Sequence, residues 1–465
     1  MLEPFVRKNL PRLQHLYDRV PAPGRHLLAS ARGWVLTQIR YSPETFAILR
    51  ELWSHESWSP DDISAYQLRM LQKIWEYAFR TVPFYSRYPR IEIRALDDLR
   101  RLPVLDREKV LENQPLLLSR AIPERRKICA ATTGTTGTSL RVVYTEDLAR
   151  HNWAFLLRQR AWADIAFRQW RITLQGSRIV PANRDSPPYW TYNFPERQVL
   201  LSIFHLSEKT APDYLSFLRR RIGRVLEGFP SVLGMLADFV LACRSRIPMR
   251  VVFTSGEPLY PWLRTKIEDA FGTRVFDTYG MTEYCGLIQE CEQGGMHLAP
   301  EYGFLEILDG CDCPVSPGEE GELVWTGFLN AAMPLVRYRI GDRGRWQPGN
   351  TCACGRAFPL VVPTITRESD TLRCPDGRLF SARALNQLLK HSDALQSCQF
   401  VHDQPARVRI RAVARGAAAT QEIEKIRREL CHLLGNSMNV VAEIAFAPLT
   451  RSGGKIPLIV NQVRQ

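Results

Sequence analysis

Residues 131–139, with the sequence ATTGTTGTS, form the stretch whose side chains are best suited to chemistry. Gly134 and Gly137 allow the backbone to turn sharply and to approach an anion closely. The loop amides and the threonine hydroxyl groups are donors that match phosphate oxygens. Those hydroxyl groups belong to Thr132, Thr133, Thr135 and Thr136. The stretch is neither a Walker loop nor a dinucleotide fingerprint, which leaves another kind of phosphate loop or a flexible surface turn.

Further motifs follow in a fixed order along the chain. TSGEPL at 254–259 and DTYGMTE at 277–283 each come directly after an apolar run that predicts a buried strand. Because open α/β sheets bind ligands at the carboxyl ends of their strands, both motifs are candidates for a binding cleft. The later motifs are GELVWTGF at 321–328, MPLVRYRIGDRGRW at 333–346, ITRESD at 365–370 and RSGGK at 451–455.

Four cysteine and histidine residues have the chemistry of a metal site. Cys291 and His297 lie in ECEQGGMH, and Cys352 and Cys354 lie in CACGR. Three thiolates and one imidazole make a closed tetrahedral zinc set, and a closed set favours a structural over a catalytic ion. The spacing is not that of a standard zinc finger. The competing cysteines are Cys285, Cys311 and Cys313, of which the last two lie in a predicted hairpin.

The length and composition describe the protein that must position these residues. With 465 residues, the chain should contain two or three domains of about 100 to 200 residues each. Hydrophobic residues make up 45% and charged residues 24%, as in globular proteins. The apolar stretch 229–243 is interrupted and too short to cross a membrane. The N-terminus shows no cleavable signal, so the predicted location is the cytoplasm, where the eleven cysteines stay reduced.

The net charge favours anionic small molecules as ligands. Lys plus Arg (62) exceed Asp plus Glu (48) by 14, and most of the excess is arginine, whose fork binds phosphate and carboxylate with two hydrogen bonds. A basic surface could also bind nucleic acid. However, the arginines are scattered and no nucleic-acid-binding motif accompanies them, so we expect no nucleic acid partner.

The hydrophobic pattern divides the chain into three parts. Residues 1–120 are predicted to be mostly helical and to serve packing, and residues 121–366 alternate short strands with helices as an α/β core. Residues 367–465 predict a small α+β domain. The predicted strands of the core are 142–144, 172–174, 251–254 and 275–279. Those of the last part are 408–413 and 440–446, around a helix that begins near Thr420.

Taken together, the ordered motifs resemble the adenylate-forming superfamily of acyl-CoA synthetases over about residues 65–460. RYRIGD and CACGR are similar to the phenylacetate-CoA ligase branch and its capsule-biosynthesis relatives. The resemblance implies a large N-terminal domain, a small mobile C-terminal lid, and an ATP-dependent reaction. A carboxylic acid would become an acyl-AMP with release of pyrophosphate, and CoA would accept the acyl group. An amine-accepting ligase, an adenylyltransferase and a zinc-stabilised nucleotide-binding scaffold without turnover stay open as alternatives.

The resemblance also implies a role for each motif. Residues 132–138, ending at Thr138, would hold the β- and γ-phosphates, while Thr282 contacts the α-phosphate. Glu283 would bind Mg²⁺ and Lys455 would approach the transferring phosphate. The adenosine would be bound by Gly256, Glu257, Pro258, Tyr279, Gly280, Asp342 and Arg367, the last two on the ribose. For Asp342, a salt bridge with Arg339 or Arg343 is the ordinary alternative.

For the acid, the resemblance places His205 near the carboxylate in a pocket formed by Trp190, Phe204, Gly228 and Met281. With Tyr192 and Phe194, these aromatic residues could form an aryl-shaped pocket or belong to the core, so an aromatic acid is only a preference. Some relatives carry zinc at the cysteine cluster, which supports a structural Zn²⁺. The oligomeric state is open, a homodimer included.

Two departures from the family pattern stand out. Thr138 occupies the position where many relatives have lysine, so ATP binding should rely more on Mg²⁺ and on nearby arginine. The hinge, often an aspartate pair, is Glu368, Ser369 and Asp370 here, and we assign the rotation to Ser369 and Asp370.

Overall fold

The computed structural model describes most of the chain. The described residues are 17, 20–131, 140–174, 179–181, 184–221, 223–349, 351–363, 371–376, 378–389, 395–414, 419–444 and 458–463. Among them, no helix has both the length and the apolar character needed to cross a bilayer.

Ten α-helices occur in the described residues. They are α1 (Ala22–Arg40), α2 (Pro43–Ser54), α3 (Pro60–Thr81), α4 (Arg107–Glu112), α5 (Glu146–Trp162), α6 (Ala211–Arg219), α7 (Pro230–Ala242), α8 (Pro261–Phe271), α9 (Ala382–Asn386) and α10 (Ala419–Leu434). Short 3-10 turns are found at His55–Ser57, Tyr85–Arg87, Leu96–Arg101, Gln114–Leu117, Glu124–Arg126, Gln387–Leu389 and Gly435–Ser437.

The described strands number twenty-one. The first eleven are β1 (Leu105–Asp106), β2 (Ile128–Ala131), β3 (Arg141–Tyr144), β4 (Arg171–Leu174), β5 (Trp190–Asn193), β6 (Gln198–Leu201), β7 (Val225–Gly228), β8 (Val251–Ser255), β9 (Val275–Gly280), β10 (Leu287–Glu290) and β11 (Met296–Leu298). The others are β12 (Gly303–Leu308), β13 (Gly321–Gly327), β14 (Tyr338–Trp346), β15 (Val361–Pro363), β16 (Thr371–Arg373), β17 (Leu379–Ser381), β18 (Leu395–Gln404), β19 (Arg407–Ala414), β20 (Asn439–Ile444) and β21 (Ile459–Asn461).

The largest sheet has eight strands in the order β11-β10-β9-β8-β7-β4-β6-β5. Its five inner strands, β4 and β6 to β9, run parallel, while β5, β10 and β11 are antiparallel to their neighbours. Helices α6, α7 and α8 connect the parallel strands, so strands such as β7 are buried along their whole length. The predicted α/β alternation is therefore confirmed, and the carboxyl ends of β6 to β9 share one edge.

A second sheet joins the N-terminal part of the chain to the core. Its order is β1-β14-β13-β12, with β15 paired to β14. The two-residue strand β1 runs parallel to β14, and Leu105 pairs with Tyr338. This pairing crosses more than two hundred positions of sequence and brings residues 105–107 next to the RYRIGD motif.

The long helix α3 explains why the N-terminal part packs as the sequence predicts. Ser59 and Asp62 form a capping box at its start, with Pro60 in the first turn. Leu71, Ile74 and other apolar residues at helical spacing are buried against the second sheet. The apolar stretch 229–243 is likewise a buried helix, α7, and not a membrane span.

The C-terminal part contains a separate four-stranded sheet in the order β20-β19-β18-β21. Helix α10 begins at Ala419, next to the predicted Thr420, and contacts β19 and β20. The strands predicted at 408–413 and 440–446 are β19 and β20, although residues 445 and 446 lie outside the described residues.

Candidate functional site

The edge formed by the carboxyl ends of β7, β8 and β9 brings two predicted segments together. Glu257, which follows β8, is buried, and its Oε2 accepts a hydrogen bond from the backbone N–H of Ser231 at 3.0 Å. Ser231 lies in the first turn of α7, where backbone donors attract a carboxylate. Residues 256–258, predicted to bind adenosine, thus contact residues 228–231, the segment that begins at Gly228 of the predicted acid pocket.

Glycine is required at two of these predicted positions. Gly256 has φ of +86°, in the left-handed region that disfavours other residues. At Gly228 a Cβ atom would lie 2.9 Å from the carbonyl oxygen of Leu174. A side chain at Gly228 would therefore force β7 and β4 apart at the edge where the site is predicted.

Tyr279 and Asp342, both predicted to bind adenosine, are in direct contact. The Oη of Tyr279 at the end of β9 donates a hydrogen bond of 2.8 Å to Oδ2 of Asp342 on β14. The Tyr279 ring stacks on Trp325, with 6.3 Å between centroids and 20° between planes. Burial, and next the Asp342 carboxylate, raise the pKa of Tyr279 well above its ordinary value, so the phenol stays protonated.

The two arginines of the alternative reading, in which Asp342 forms a salt bridge with a neighbour, pair with other carboxylates. Arg339 pairs with Asp312 and with Glu322, the latter at 2.8 Å. Arg343 pairs with Glu320 at 2.6 Å. Both guanidinium groups therefore have carboxylate partners other than Asp342.

Glu283, predicted to bind Mg²⁺, is only 5% exposed. Its Oε1 accepts a hydrogen bond from the Tyr338 hydroxyl at 3.3 Å and lies 3.8 Å from Nη1 of Arg107. Burial raises the pKa of this carboxyl group, and the Arg107 guanidinium opposes that rise. A single carboxylate beside phosphate oxygens is the kind of ligand set that Mg²⁺ uses in nucleotide-dependent enzymes.

Arg107 is the residue that sequence reasoning missed. It is the first residue of α4, directly after Asp106, whose side chain caps that helix by accepting from the Lys109 N–H at 2.8 Å. The segment VLDREK does read as a strand followed by a capped helix, which is a usable signal. Its position beside Glu283 depends on the parallel pairing of β1 with β14, which no local pattern reveals.

His205 is held by bonds within the protein. Its Nε2 lies 3.0 Å from the carbonyl oxygen of Pro181, and its Nδ1 lies 2.7 Å from Oγ of Ser202. Because a carbonyl oxygen only accepts, Nε2 donates to Pro181, while Nδ1 and the Ser202 hydroxyl share the second bond. These two bonds fasten the imidazole within the protein, next to the ring of Tyr189 at 5.4 Å between centroids. This geometry favours positioning of the loop after β6.

The structure does not bring the predicted aromatic acid pocket together. Trp190 lies on the edge strand β5, five strands from β9 and thus roughly 24 Å away at the usual strand spacing. Its ring packs on Phe217 of α6, at 4.3 Å between centroids. Tyr192 stacks on Phe194, which is exposed at the tip of the β5–β6 hairpin. Alternate residues of a strand share one face, so Trp190 and Tyr192 face the same side of β5, where Trp190 reaches α6.

The other predicted acid-site residues have separate positions. Phe204 follows β6 and packs against the large core cluster. Gly280, Met281 and Thr282 continue directly from β9 towards Glu283, so they lie at the edge where Tyr279 and Asp342 meet. Pro258 lies in the same loop as Glu257.

Several predicted residues lie outside the described residues. These are Thr132, Thr133, Gly134, Thr135, Thr136, Gly137 and Thr138 of the phosphate loop, Arg367, the hinge residues Ser369 and Asp370, and Lys455. The phosphate loop connects β2 to β3, which pair as antiparallel strands up to Ala131 and Arg141.

The four predicted zinc ligands come together from two distant parts of the chain. Ligand atoms of Cys291, His297, Cys352 and Cys354 all lie within 4.8 Å of one another. The Sγ atoms of Cys291 and Cys352 are 3.6 Å apart, and Sγ of Cys354 is 3.2 Å from Nε2 of His297. These separations fit the edges of a tetrahedron with zinc bonds of about 2.0 to 2.3 Å.

The surroundings of the cluster suit a metal as well. His297 Nδ1 donates to the carbonyl oxygen of Phe358 at 2.9 Å, which leaves Nε2 free of a proton and facing the thiols. Burial lowers the pKa of His297 and keeps the ring neutral, as a ligand must be. At Gly295, a Cβ atom would lie 2.8 Å from Sγ of Cys352. The competitors Cys285, Cys311 and Cys313 are not in this group.

Comparisons with known proteins agree with this geometry. A family model described as AMP-binding enzyme matches residues 201–333, which include β7 to β9 and Glu283. Protein CapK of Staphylococcus aureus is 22% identical, with 97% of this chain and 100% of CapK covered. Phenylacetate-coenzyme A ligase of Pseudomonas putida is 25% identical over 72% of this chain and 77% of that protein.

Solved structures show the same fold. A structure of 2-hydroxyisobutyryl-CoA ligase in complex with 2-HIB-AMP and CoA superposes with a TM-score of 0.56 at 17% identity, covering 88% of this chain and 91% of the other. The same ligase in its postadenylation state gives a TM-score of 0.54 over the same shares. The α/β fold predicted from the motifs is therefore confirmed.

Proposed function

We propose that this chain is an ATP-dependent acid ligase of the adenylate-forming superfamily that forms AMP, because an AMP-binding enzyme model matches residues 201–333 and the chain is similar to CapK and to phenylacetate-coenzyme A ligase. It activates a carboxylic acid as an acyl-AMP with release of pyrophosphate and then transfers the acyl group to CoA. The observation that carries the proposal is the Tyr279–Asp342 contact beside buried Glu283 at the strand ends, where the fold binds its ligands.

In the first step, a carboxylate oxygen of the acid attacks the α-phosphorus of ATP. The bond from that phosphorus to the bridging oxygen breaks, and pyrophosphate leaves with the electron pair. Negative charge gathers on the phosphate oxygens, so the site must supply cations and hydrogen-bond donors. Glu283 would hold Mg²⁺, which neutralises this charge when it is bound. Arg107 is the nearest described cation of the protein to that carboxylate.

Tyr279 and Asp342 would bind the adenosine. The Tyr279 ring offers an apolar face for the purine, and the Asp342 carboxylate accepts hydrogen bonds from ribose hydroxyl groups. Residues 256–258 and 228–231 lie at the same edge of the sheet, joined by the bond between Glu257 and Ser231. The phosphate loop at 132–138, the ribose contact of Arg367 and the contact of Lys455 with the transferring phosphate remain proposals from the sequence resemblance.

In the second step, the CoA sulfur attacks the acyl carbonyl carbon. The bond from that carbon to the phosphate oxygen breaks, AMP leaves, and the thiol proton passes to solvent. The similarity to phenylacetate-coenzyme A ligases supports CoA as the acceptor. An amine acceptor, or transfer of the adenylyl group itself, is the competing enzymatic reading.

The carboxylic acid substrate is proposed only by its chemical class. Relatives named for phenylacetate favour an aryl acid, but the edge-strand position of Trp190 removes one wall of the aryl pocket that the sequence predicts. Gly228, Met281 and the residues after β6 would line the pocket.

We further propose a structural Zn²⁺ held by Cys291, His297, Cys352 and Cys354. It would tie β10 and β11 to the segment before β15 and stabilise the edge of the main sheet. The small C-terminal part beyond residue 366 would act as a lid that turns at Ser369 and Asp370. The cytoplasm remains the proposed compartment, supported by eleven cysteines that are all unpaired thiols.

Acid-dependent exchange of labelled pyrophosphate into ATP tests the proposal. A panel of aryl and aliphatic carboxylic acids should include at least one that drives exchange, whereas a scaffold without turnover would give none with any acid. With the active acid, CoA and a panel of amines are then compared. Thioester formation supports the CoA reading, and amide formation without thioester would overturn it.

A further inference from the structure

The exposed apolar side chains of the protein are concentrated in one region. Ten large apolar residues in the described part of the chain are exposed, and seven of them lie on α1, on α2, or on two turns beside the edge strand β5. The seven are Leu27, Leu28, Trp34, Val35, Trp53, Phe167 and Phe194. Scattered exposed residues need no explanation, but a contiguous group indicates an interaction surface.

Helix α1 lies on β5 and presents its apolar residues outward. Gly33 faces the sheet so closely that a Cβ atom there would meet the Asn193 side chain. On the outer side, Leu27 is 72% and Trp34 is 61% exposed. Ser30 lies between these two at helical spacing, and its Oγ accepts the N–H of Phe194 at 3.2 Å. Leu27 and Trp34 therefore lie on either side of the serine that bonds the backbone of the exposed Phe194.

The hairpin tip is tied to the turn that carries Phe167. Arg168 donates to the carbonyl oxygen of Pro195 at 3.0 Å, and Arg197 donates to that of Arg168 at 3.3 Å. Phe167 in turn stacks on Trp53 of α2, with 6.0 Å between ring centroids. Leu27, Trp34, Phe194, Phe167 and Trp53, with Arg168 and Arg197, thus form one continuous surface, called here the aromatic–basic face.

The charge on this face is positive. Arg168 and Arg197 are exposed, and no carboxylate of the described residues lies within ion-pair distance of either. The nearest acid in sequence, Glu196, is buried and paired with Arg40 and Arg171.

Three further acidic residues lie nearby, but they do not neutralise the arginines of this face. Asp164 pairs with Arg250 at 2.6 Å. On α2, Glu44 and Glu51 lie about 160° to 180° around the helix from Trp53, because each residue advances the helix by about 100°. The arginines of the aromatic–basic face are therefore available to an external anion.

We propose that the aromatic–basic face docks the protein on an anionic lipid bilayer. Tryptophan, phenylalanine and leucine insert at the boundary between headgroups and acyl chains, while arginine binds lipid phosphates. The face consists of a helix, a hairpin tip and a turn, whose apolar side chains project outward. Such a surface suits a deformable partner that surrounds each side chain, and the net charge of +14 attracts the protein to anionic membranes. Binding of this kind needs no membrane-spanning helix.

Flotation of the full-length protein with lipid vesicles tests this proposal. One set of vesicles contains phosphatidylcholine alone and the other an equal mixture of phosphatidylcholine and phosphatidylglycerol. The protein should float with the mixed vesicles only, and less so as salt rises. Arg168→Glu with Arg197→Glu should weaken partition by at least about 25-fold, since each lost basic residue accounts for roughly fivefold and the added carboxylates are repelled as well. Leu27→Gln with Trp34→Gln should weaken it by about tenfold.

Matched controls lie elsewhere on the surface. Trp262, on α8, is 47% exposed, and Trp262→Gln should float like the unaltered protein. Arg219→Glu with Arg246→Glu changes the net charge equally without touching the face. Circular dichroism and thermal unfolding should show that every variant is folded.

Four results would overturn the proposal. The first is no flotation with the mixed vesicles, and the second is an equal loss of flotation in the variants of the aromatic–basic face and in the control variants. The third is a dimer in solution that Trp34→Gln converts to a monomer, and the fourth is binding to mixed-sequence DNA that the variants of this face lose while their lipid binding persists. The dimer result would identify a second copy of the chain as the partner, and the DNA result a nucleic acid.

Discussion

The Tyr279 hydroxyl and the Asp342 carboxylate, 63 positions apart in sequence, are joined by a hydrogen bond of 2.8 Å. This bond links the end of β9 in the large sheet to β14 in the second sheet. The two groups proposed to bind the base and the ribose are therefore fixed relative to each other before a nucleotide arrives, which reduces the ordering that binding requires.

Asp342→Ala should raise the KM for ATP by about 10- to 100-fold, because hydrogen bonds to a charged group contribute roughly 1.5 to 3 kcal/mol. Tyr279→Phe keeps the ring and loses only the hydroxyl, so it should change KM far less. Steady-state pyrophosphate exchange at varied ATP measures both. Equal effects of the two substitutions would argue against a ribose contact for Asp342.

Arg107→Gln should lower kcat/KM for ATP by about tenfold, and Arg107→Lys should recover part of the loss because the positive charge returns. The reason is that, by the sequence resemblance, Thr138 stands where many relatives have a lysine, and Arg107 is a cation beside Glu283. Arg100→Gln is the control, since Arg100 is on the surface and pairs with Asp97. A loss of thermal stability without a change in exchange kinetics would show that Arg107 is only structural.

Cys352→Ser should lower the bound zinc and the melting temperature together. Removing one thiolate opens a site whose other three ligands are held close by the fold. Cys313→Ser, at an exposed cysteine in the turn after β12, should leave both unchanged. Atomic absorption of the purified protein and a thermal melt give the two readings. Native protein free of zinc would contradict the proposed site.

Asp277→Asn should stabilise the protein at about pH 8 and have no effect near pH 4. Burial raises the pKa of Asp277 from 3.8 to about 6, although the Thr254 hydroxyl donates to it at 2.6 Å. The folded state then binds a proton more tightly than the unfolded state does. The free energy of unfolding therefore falls as pH rises from about 4 to about 6.

The full pKa shift of Asp277 corresponds to a change of at most about 3 kcal/mol in the free energy of unfolding. Asparagine keeps the hydrogen-bond acceptor and removes the charge, so urea unfolding at both pH values should reveal the difference. An equal effect of Asp277→Asn at the two pH values would mean that the ionised carboxylate is well accommodated.

Lys455→Ala should leave the fold intact and nearly abolish pyrophosphate exchange, because a cation near the transferring phosphate matters mostly in the transition state. Lys425→Ala is a matched control on α10, where the lysine pairs with Glu422. Unchanged exchange in Lys455→Ala would refute the role that the resemblance implies.

The strand-end motifs could be predicted because each is local. An apolar run followed by TSGEPL or DTYGMTE encodes both the strand and its loop, and the structure places both runs as β8 and β9 in adjacent parallel strands. The four members of the cysteine–histidine cluster could also be predicted, since few residue types can hold a metal ion in this way.

Contacts between distant segments could not be predicted from the sequence in the same way. The position of Arg107 depends on two residues of β1 pairing with β14, and a two-residue strand leaves no periodic signal. The alternating aromatic residues of β5 predict one apolar face of a strand, and such a face could either line a pocket or pack in the core. Only the order of strands in the sheet shows that Trp190 is remote from Tyr279.

The pairing of β1 with β14 ties the first quarter of the polypeptide to the proposed site. A shortened version that starts after residue 120 would retain every recognisable nucleotide motif. It would nevertheless expose the rim of β14 and deprive Glu283 of its guanidinium neighbour. Fragments chosen by motif alone should therefore fold poorly and turn over little substrate, although they contain every recognisable motif.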